Sequence, residues 1–287
     1  MELSEWRAHI EEVVAAEGQW IGLANGDGVP FMDAPPLISL SAPEQHLAET
    51  SVEAVFPAVQ GSRFMDVLSA PGLGVDDGGE LIPQTDALLL LVVRAGGERL
   101  AYMISHVVLA GESGPTTITV HGVDLVGELA LHPAPSVPLS WAGAEFSEHT
   151  TDAAGADYAT ARRLAWVEFA TVADGFTMNG PAVSVIRRLC QDSFDAVDKA
   201  YGWQDDPKFV TDFSGGEDTS PEVMIRVSDD YLWDTIAEPA RAAGVGVEVN
   251  LWWPGDAPVV ARVDGELVER SFAHPVLVVR VFEIKGD

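Results

Sequence analysis

The stretch EVMIRVSDDYLWDTIAEPARAAGVGVEVNLWWPGDAPVVARV, residues 222–263, decides how the second half of the chain folds. Apolar and polar residues alternate at its start and again after Gly244, which is typical of half-buried strands. Between these strands, apolar residues recur at helical spacing. Residues 254–256 (Pro-Gly-Asp) suit a tight turn, and residues 259–263 suit a returning strand. The stretch therefore predicts a strand–helix–strand–strand module.

The ends of the helix in this module have their own signals. Ser228 stands where a side-chain oxygen can cap the first turn, and two aspartates follow it at the positive end of the helix dipole. Gly244 can adopt the left-handed conformation that ends a helix. Pro239 falls inside the helix and is expected to kink or shorten it, because it removes a hydrogen bond. The predicted buried face consists of Leu232, Ile236, Ala240 and Ala243.

Composition sets the class of protein. The chain has 287 residues and is 47% hydrophobic, enough for one large domain or two. Its single cysteine, Cys190, rules out an intrachain disulfide and a cysteine-based metal cluster. The start of the sequence is acidic and amphipathic and lacks the basic region of a secretory signal, and no apolar run is long enough to span a bilayer.

The net charge is the most unusual bulk property. Asp and Glu outnumber Lys and Arg by 45 to 16, which gives a formal net charge of −29. Such a surface repels phosphate, so binding to DNA is not expected. Three explanations remain open: solubility or adaptation to high salt, complementarity to a basic partner, or the lining of a passage through which nucleic acid moves without sticking.

The first half predicts a helix followed by a barrel-like set of strands. Residues 1–18 form an amphipathic helix that Ser4 caps and Gly18 ends. Residues 25–28 (Asn-Gly-Asp-Gly) are a turn rather than a calcium loop, because Pro36 stands at the twelfth position, where a loop of that kind needs a carboxylate. Further strands are predicted at 20–23, 37–40 and 51–56, and a glycine-rich acidic loop at 72–80.

The block from residue 87 to residue 121 predicts an antiparallel meander. Residues 87–94 are continuously apolar, which implies burial on both faces. Two turns separate this strand from strands at 99–109 and 116–121. His106 and His121 are expected to be neighbours in these strands, as hydrogen-bonded histidines rather than metal ligands. A short helix at 123–131 closes the block.

The remaining segments complete the second half. Residues 132–157 are rich in Pro, Ala, Ser and Gly and are interpreted as a surface linker. Residues 162–172 fit either a helix or a strand. Gly180-Pro181 begins a helix, and residues 276–284 form a final buried strand. The predicted buried stripe of that helix is Val183, Ile186, Cys190, Phe194 and Val197.

No catalytic, cofactor or metal site is predicted. The sequence contains no nucleophile elbow, zinc-protease motif, phosphate-binding loop or dinucleotide fingerprint. Cys190 lies on an apolar helix face and is expected to be a core residue. The adjacent Trp252 and Trp253 could stack on a sugar. Because neighbouring strand residues point to opposite faces, core on one side and interface on the other is the plainer interpretation.

The order of parts resembles a known family. It comprises the meander LIPQTDALLLLVVRAGGERLAYMISHVVL (81–109) with TTITVHG (116–122), then GVDLVGELALHPAP (122–135), GPAVSVIRRLCQDSF (180–194) and VSDDYLWDTIAEPARAAGVGVEV (227–249). From about Pro35 onward, the chain is similar to minor tail proteins of siphoviruses that infect actinobacteria, in the tail-hub or baseplate-hub family. These motifs are structural patterns, not catalytic fingerprints.

The resemblance implies a structural virion protein without enzymatic activity or cofactor, located at the tail tip. It implies a homotrimeric ring that closes the distal end of the tail tube, between the distal tail protein and the tip or receptor-binding proteins. DNA and the tape-measure protein would pass through the ring. The alternatives are a carbohydrate-binding or carbohydrate-cleaving tail protein, with Trp252, Trp253 and nearby acidic residues as its candidates, and a protein adapted to high salt.

The expected fold class is α+β: an antiparallel β-barrel-like domain and a domain containing the strand–helix–strand–strand module, arranged as in a tail hub. The expected divisions are the helix at 1–18, the barrel-like domain at 19–131, the linker at 132–157 and the α+β domain at 158–287, with the module at 222–263.

Overall fold

A computed structural model describes residues 1–43, 48–69, 87–136, 147–164, 176–263 and 265–284. The fold is mixed α+β with mostly antiparallel sheets, as predicted, and its barrel-like sheet is not closed. The predicted acidic loop at 72–80 lies outside the described residues. The elements of the first half are α1 (Leu3–Glu17), β1 (Gln19–Asn25), β2 (Pro30–Asp33), β3 (Ser39–Ser41), β4 (Ser51–Pro57), α2 (Arg63–Ser69), β5 (Leu88–Arg94), β6 (Arg99–Ala110), β7 (Thr117–Asp124) and a 3₁₀ helix (Leu125–Ala130).

The elements of the second half surround two longer helices. They are β8 (Ser147–Thr151), β9 (Asp157–Leu164), β10 (Phe176–Pro181), α3 (Ala182–Tyr201), β11 (Phe209–Thr211), β12 (Glu222–Val227), α4 (Leu232–Ala243), β13 (Val245–Trp252), β14 (Val259–Val263), β15 (Glu266–Arg270) and β16 (Val276–Glu283).

The first sheet has seven strands in the order β2-β1-β5-β6-β7-β4-β3 and is strongly curled. If it were flat, its edge strands would lie about 29 Å apart, at ~4.8 Å per strand. Yet Ala34 still bonds to Ile21 of β1, and Ile38 already bonds to Val55 of β4. Four peptide steps from Ala34 to Ile38 reach about 14 Å at most. The sheet must therefore curl until its two edges approach each other, which explains the barrel-like sequence pattern.

Alternating residues of this sheet fill the inside of the curl. Val52, Ala54 and Phe56 of β4 point inward, as their period-two spacing predicts. The helix α2 adds Phe64 and Leu68 to the same core. Other members of this core are Leu23, Leu90, Val92, Tyr102, Ile118 and Val120.

The strand β5 is buried on both faces, as its continuous apolar run predicts. Leu90 and Val92 face the inside of the curl, whereas Leu89 and Leu91 face a second core outside it. This outer core joins α1 to the second half of the chain. Its buried members are Trp6, Ile10, Trp20, Ala24, Leu89, Leu91, Val93, Ala101, Leu125, Leu251 and Trp253.

The helix α1 ends at Gly18, which has a left-handed φ of 85°, as predicted. Its N-cap is Glu2 rather than Ser4. Glu2 and Glu5 form a reciprocal capping box, so the helix begins two residues earlier than the serine suggests. The other predicted short helix, at 123–131, is a 3₁₀ helix over Leu125–Ala130.

The module at 222–263 contains the predicted strands and helix, but the expectation that Ser228 caps the helix is wrong. The helix begins after Tyr231, not after Ser228, because Asp229 adopts a left-handed φ of 63° and Leu232 donates its N–H to the carbonyl of His132. The returning strand β14 pairs with β15 and not with β13, which pairs with β16 along its full length. The helix α4 runs through Pro239 without interruption and ends at Gly244.

The helix α3 follows Pro181 and ends at Gly202. Its apolar stripe packs against α4 and against two of the smaller sheets, which have the strand orders β10-β12 and β11-β16-β13. Residues 132–136 pack onto the start of α4, and β8 and β9 form a hairpin. The described part of the predicted linker thus contains the buried His132 and Ala134 and the strand β8. The division into domains stays a prediction.

Candidate functional site

The sequence singled out Cys190 as a thiol to examine for reactivity, and the histidines as side chains to examine for metal binding. Cys190 is fully buried, and burial, followed by the nearby Asp192 charge, raises the pKa of its thiol to about 12. It is a core residue, as predicted. Within the described ranges, no group of three or more His, Cys, Asp or Glu side chains is arranged to hold a metal ion.

His106 and His121 are neighbours, as the strand pattern predicts. They face each other across β6 and β7, and their rings stack with centroids 4.4 Å apart and planes 10° apart. Ser105 Oγ lies 3.1 Å from His106 Nδ1, and Glu53 Oε2 lies 3.9 Å from His121 Nδ1. The pair is thus a stack of two rings on the surface of β6 and β7.

Trp252 and Trp253 point to opposite faces, as predicted, and both are buried, with 5% and 1% of their surface exposed. Trp252 packs on Phe272 and donates its Nε1–H to the carbonyl of Ala257. Trp253 lies in the outer core and donates its Nε1–H to the carbonyl of Gly28, 2.9 Å away. The suggestion that this pair forms a sugar-stacking platform is therefore wrong, since neither ring is available to a ligand.

Trp253 belongs to a polar junction between the two halves of the chain. The guanidinium of Arg99 lies 3.6 Å from the centre of its ring and donates to the carbonyl of Leu251 and to Asp256 Oδ2. Arg7 of α1 approaches Asp256 Oδ1 to 3.1 Å. Burial acts to raise the pKa of Asp256, but the hydrogen bond from Arg99 and the charges of both arginines outweigh it and lower that pKa. One carboxylate thus fastens α1, β6 and the β13–β14 turn together.

A cleft of about 420 Å³ opens beside this junction, between β6 and β13. Asp124 lines it and accepts two hydrogen bonds from Thr50 on one oxygen. Its other oxygen is buried and has no hydrogen-bond partner of good geometry among the described residues, and burial raises the pKa of the carboxyl group against the lowering effect of nearby hydrogen bonds, those from Thr50 first. Sequence reasoning missed the junction and the cleft, because their residues come from distant parts of the chain.

A row of three aspartates follows one face of α3. Arg262 of β14 donates to the first two, Asp192 and Asp195. The third, Asp198, is only 7% exposed. Burial, followed by the charge of Asp195, raises the pKa of Asp198 to about 6, while Arg270 acts in the opposite direction.

The pKa of Asp198 predicts a pH-dependent stability. Because it is higher in the folded protein than the ~3.9 of an unfolded chain, the stabilisation from this group is complete below ~3.9 and is lost as the pH rises through about 6. Asp198→Asn removes the charge and nearly keeps the shape. We expect the variant's advantage in unfolding free energy over the parent to grow by about 1 kcal/mol between pH 5 and pH 8.

Urea unfolding at the two pH values measures this difference. Asp205→Asn, at an exposed position four residues after α3, is the matched control and should show no such growth. An advantage for Asp198→Asn that does not change with pH would contradict the assignment.

The outer part of β6, Ile104–Ala110, has an edge that no described strand covers. The strand β5 pairs with β6 only from Arg99 to Met103, whereas β7 pairs with it as far as Ala110. Val108 and Leu109 are 45% and 38% exposed. This segment, which we call the β6 edge, is an uncharged surface at the rim of the curled sheet, with both apolar and polar side chains exposed.

The hairpin formed by β8 and β9 is the second unusual surface. Every residue of β8 is exposed, and so is every residue of β9 except the half-buried Tyr158. The two strands pair with each other in a sheet of two, and the guanidinium of Arg162 lies 4.6 Å from the centre of the Tyr158 ring. Within the described part of the chain, the hairpin thus presents a surface that no other element covers.

Among the described residues, no helix is both long and apolar enough to cross a bilayer. The sequence matches no family model and no curated protein.

Two solved structures of tail proteins resemble the fold. The tail protein from Neisseria meningitidis MC58 has a TM-score of 0.36 and 11% identity, over 91% of this chain and 50% of that one. The 43 kDa tail protein of prophage MuSo2 from Shewanella oneidensis has a TM-score of 0.35 and 15% identity, over 91% and 53%. Likenesses of this degree are distant and carry no functional conclusion. The chain is thus distantly similar to two tail proteins and spans about half the length of each.

Proposed function

We propose that this chain is a structural subunit of a phage tail, built into the hub at the tail tip. In this role it forms a homotrimeric ring at the distal end of the tail tube, between the distal tail protein and the tip or receptor-binding proteins. The resemblance of the sequence from Pro35 onward suggests this assembly.

The observation that carries the proposal is the β6 edge, which no described strand covers. Exposed apolar strand edges associate with other chains unless charges, bulges or covering segments protect them. The β6 edge carries no charged residue, although 21% of the residues in this chain are charged. A subunit that completes its sheet by contact with other chains would have such an edge.

The acidic balance agrees with a passage for DNA. Carboxylates that line a ring repel the phosphate backbone, so DNA can slide through without being trapped. This part of the proposal requires that the acidic side chains face the channel. A map of the ring with carboxylates only on the outer rim would contradict it.

Negative-stain electron microscopy and a mass measurement on the same concentrated sample test the assembly. We expect a three-fold ring with a central hole and a mass three times that of the chain. Because each copy carries a net charge of −29, assembly should strengthen when added salt screens the repulsion. A monomer at every concentration and salt level would contradict the self-assembling ring.

A further inference from the structure

We infer that the β8–β9 hairpin of one copy pairs, through β9, with the β6 edge of a second copy. This inference rests on the proposed function only in expecting a closed ring. It assigns a partner to two surfaces that have none within the described chain.

The β6 edge is suited to receive a strand. Between Arg99 and Glu112 no residue is charged, so the lysines and other charges that usually protect edge strands are absent. The edge of an antiparallel pair offers alternating N–H and C=O groups, which an added strand can satisfy. The large apolar side chains exposed on this segment are Val108 and Leu109.

The hairpin is suited to supply that strand. A two-stranded ribbon is marginally stable in water and needs a third strand or a packed face. This hairpin has neither in the described chain, since its strands form a separate sheet and nearly all their residues are exposed. The strand β9 spans Asp157–Leu164, long enough to cover the whole of Ile104–Ala110.

Charge favours a second copy as the partner. Two chains that each carry −29 repel one another least where their contact surfaces are uncharged or nearly balanced. The β6 edge is uncharged. On the hairpin, Arg162 and Arg163 nearly balance three acidic residues, Glu148, Asp152 and Asp157. The two surfaces can therefore meet with little like-charge repulsion.

The contact joins different surfaces on the two copies. Contacts of this head-to-tail type generate rings when the rotation closes and open filaments when it does not. Each copy would give one hairpin and receive one, so that the curled sheets become linked around the ring.

Crosslinking between copies tests the contact directly. Full-length Leu109→Cys and Thr160→Cys proteins are treated with a short bismaleimide, alone and mixed. The reagent should reach across facing or diagonal strand neighbours, up to about 8 Å apart. Cys190 does not interfere, because it is fully buried. We expect covalent dimers in the mixture and not in either protein alone.

The matched control replaces Leu109→Cys by Leu267→Cys on β15, at a side chain that is 56% exposed. The double variant Leu109→Cys/Thr160→Cys should give crosslinked trimers. If it links only within one chain, the hairpin covers its own β6 edge and the inference is wrong. A crosslinking yield equal to that of the control pair also overturns it.

A second measurement uses charge. Val108→Lys/Leu109→Lys should raise the dissociation constant of the assembly at least about tenfold, while Leu267→Lys/Val268→Lys on β15 should not change it. Circular dichroism checks that both variants fold. An intact ring in the first variant would refute the edge contact but leave the proposed function standing. Specific crosslinks without any ring would support the edge contact but contradict the proposed function.

Discussion

Trp253→Ala is expected to lower the free energy of unfolding by about 4 kcal/mol, in the range measured for large aromatic residues in protein cores. The indole is 1% exposed and fills the outer core between the two halves. Its loss leaves a cavity, removes the cation–π contact with Arg99 and leaves the carbonyl of Gly28 without its donor. Chemical denaturation followed by circular dichroism measures the change.

Trp203→Ala is the matched control. This indole is 37% exposed and stacks on Tyr201, so its removal should cost less than about 1 kcal/mol. Trp253→Phe should fall between the two, because the benzyl ring fills part of the space but donates no hydrogen bond. Equal losses for Trp253→Ala and Trp203→Ala would show that the junction does not hold the halves together.

Asp256→Ala should cost about 3 kcal/mol at pH 7. Its carboxylate accepts from Arg99 and from the backbone N–H of Trp253, and it pairs with Arg7. Removing one partner of a largely buried pair leaves the other charge uncompensated, which costs more than the pair contributes. The side chain of Arg99 is only 13% exposed, so water replaces the carboxylate poorly.

The control is Glu98→Ala, which breaks the exposed ion pair with Arg94 and should change stability by less than about 0.5 kcal/mol. The cost of Asp256→Ala should also shrink in acid. Because the pKa of Asp256 is lowered, its stabilisation is present above the unfolded value and is lost as the pH falls through the folded value. A cost that stays constant down to pH 3 would contradict this account.

Local patterns predicted local structure well. The alternation in β4, the two-sided burial of β5 and the left-handed glycines after α1 and α4 each follow from one residue property acting within a few positions. The helix α2, Arg63–Ser69, was not predicted, because its short length gives little periodicity. The sequence signal that could have revealed it is Ser62, a serine at the N-cap position, whose hydroxyl accepts from the N–H of Met65.

Pairing between strands could not be predicted in the same way. The tight turn at 254–256 brings the chain back as β14, but the sequence does not show that β14 pairs with β15 and that β16 pairs with all of β13. Likewise, the start of α4 depends on residues 132–136, which lie far away in the sequence. The β6 edge is defined by the end of the described β5–β6 pairing, and the hairpin is a candidate only because it packs on nothing described. Such features depend on which surfaces remain uncovered after folding.

The link between Ala34 and Ile38 limits more than the curvature of the first sheet. It contains Pro35 and Pro36, which stiffen it, and it ties the two margins of the sheet to within about 14 Å of each other. At this point the space between the margins admits no more than two added strands, because three strand spacings of ~4.8 Å already span about 14 Å. The link thus prevents the first sheet from flattening. A force that pulls its two margins apart is resisted by covalent bonds as well as by hydrogen bonds.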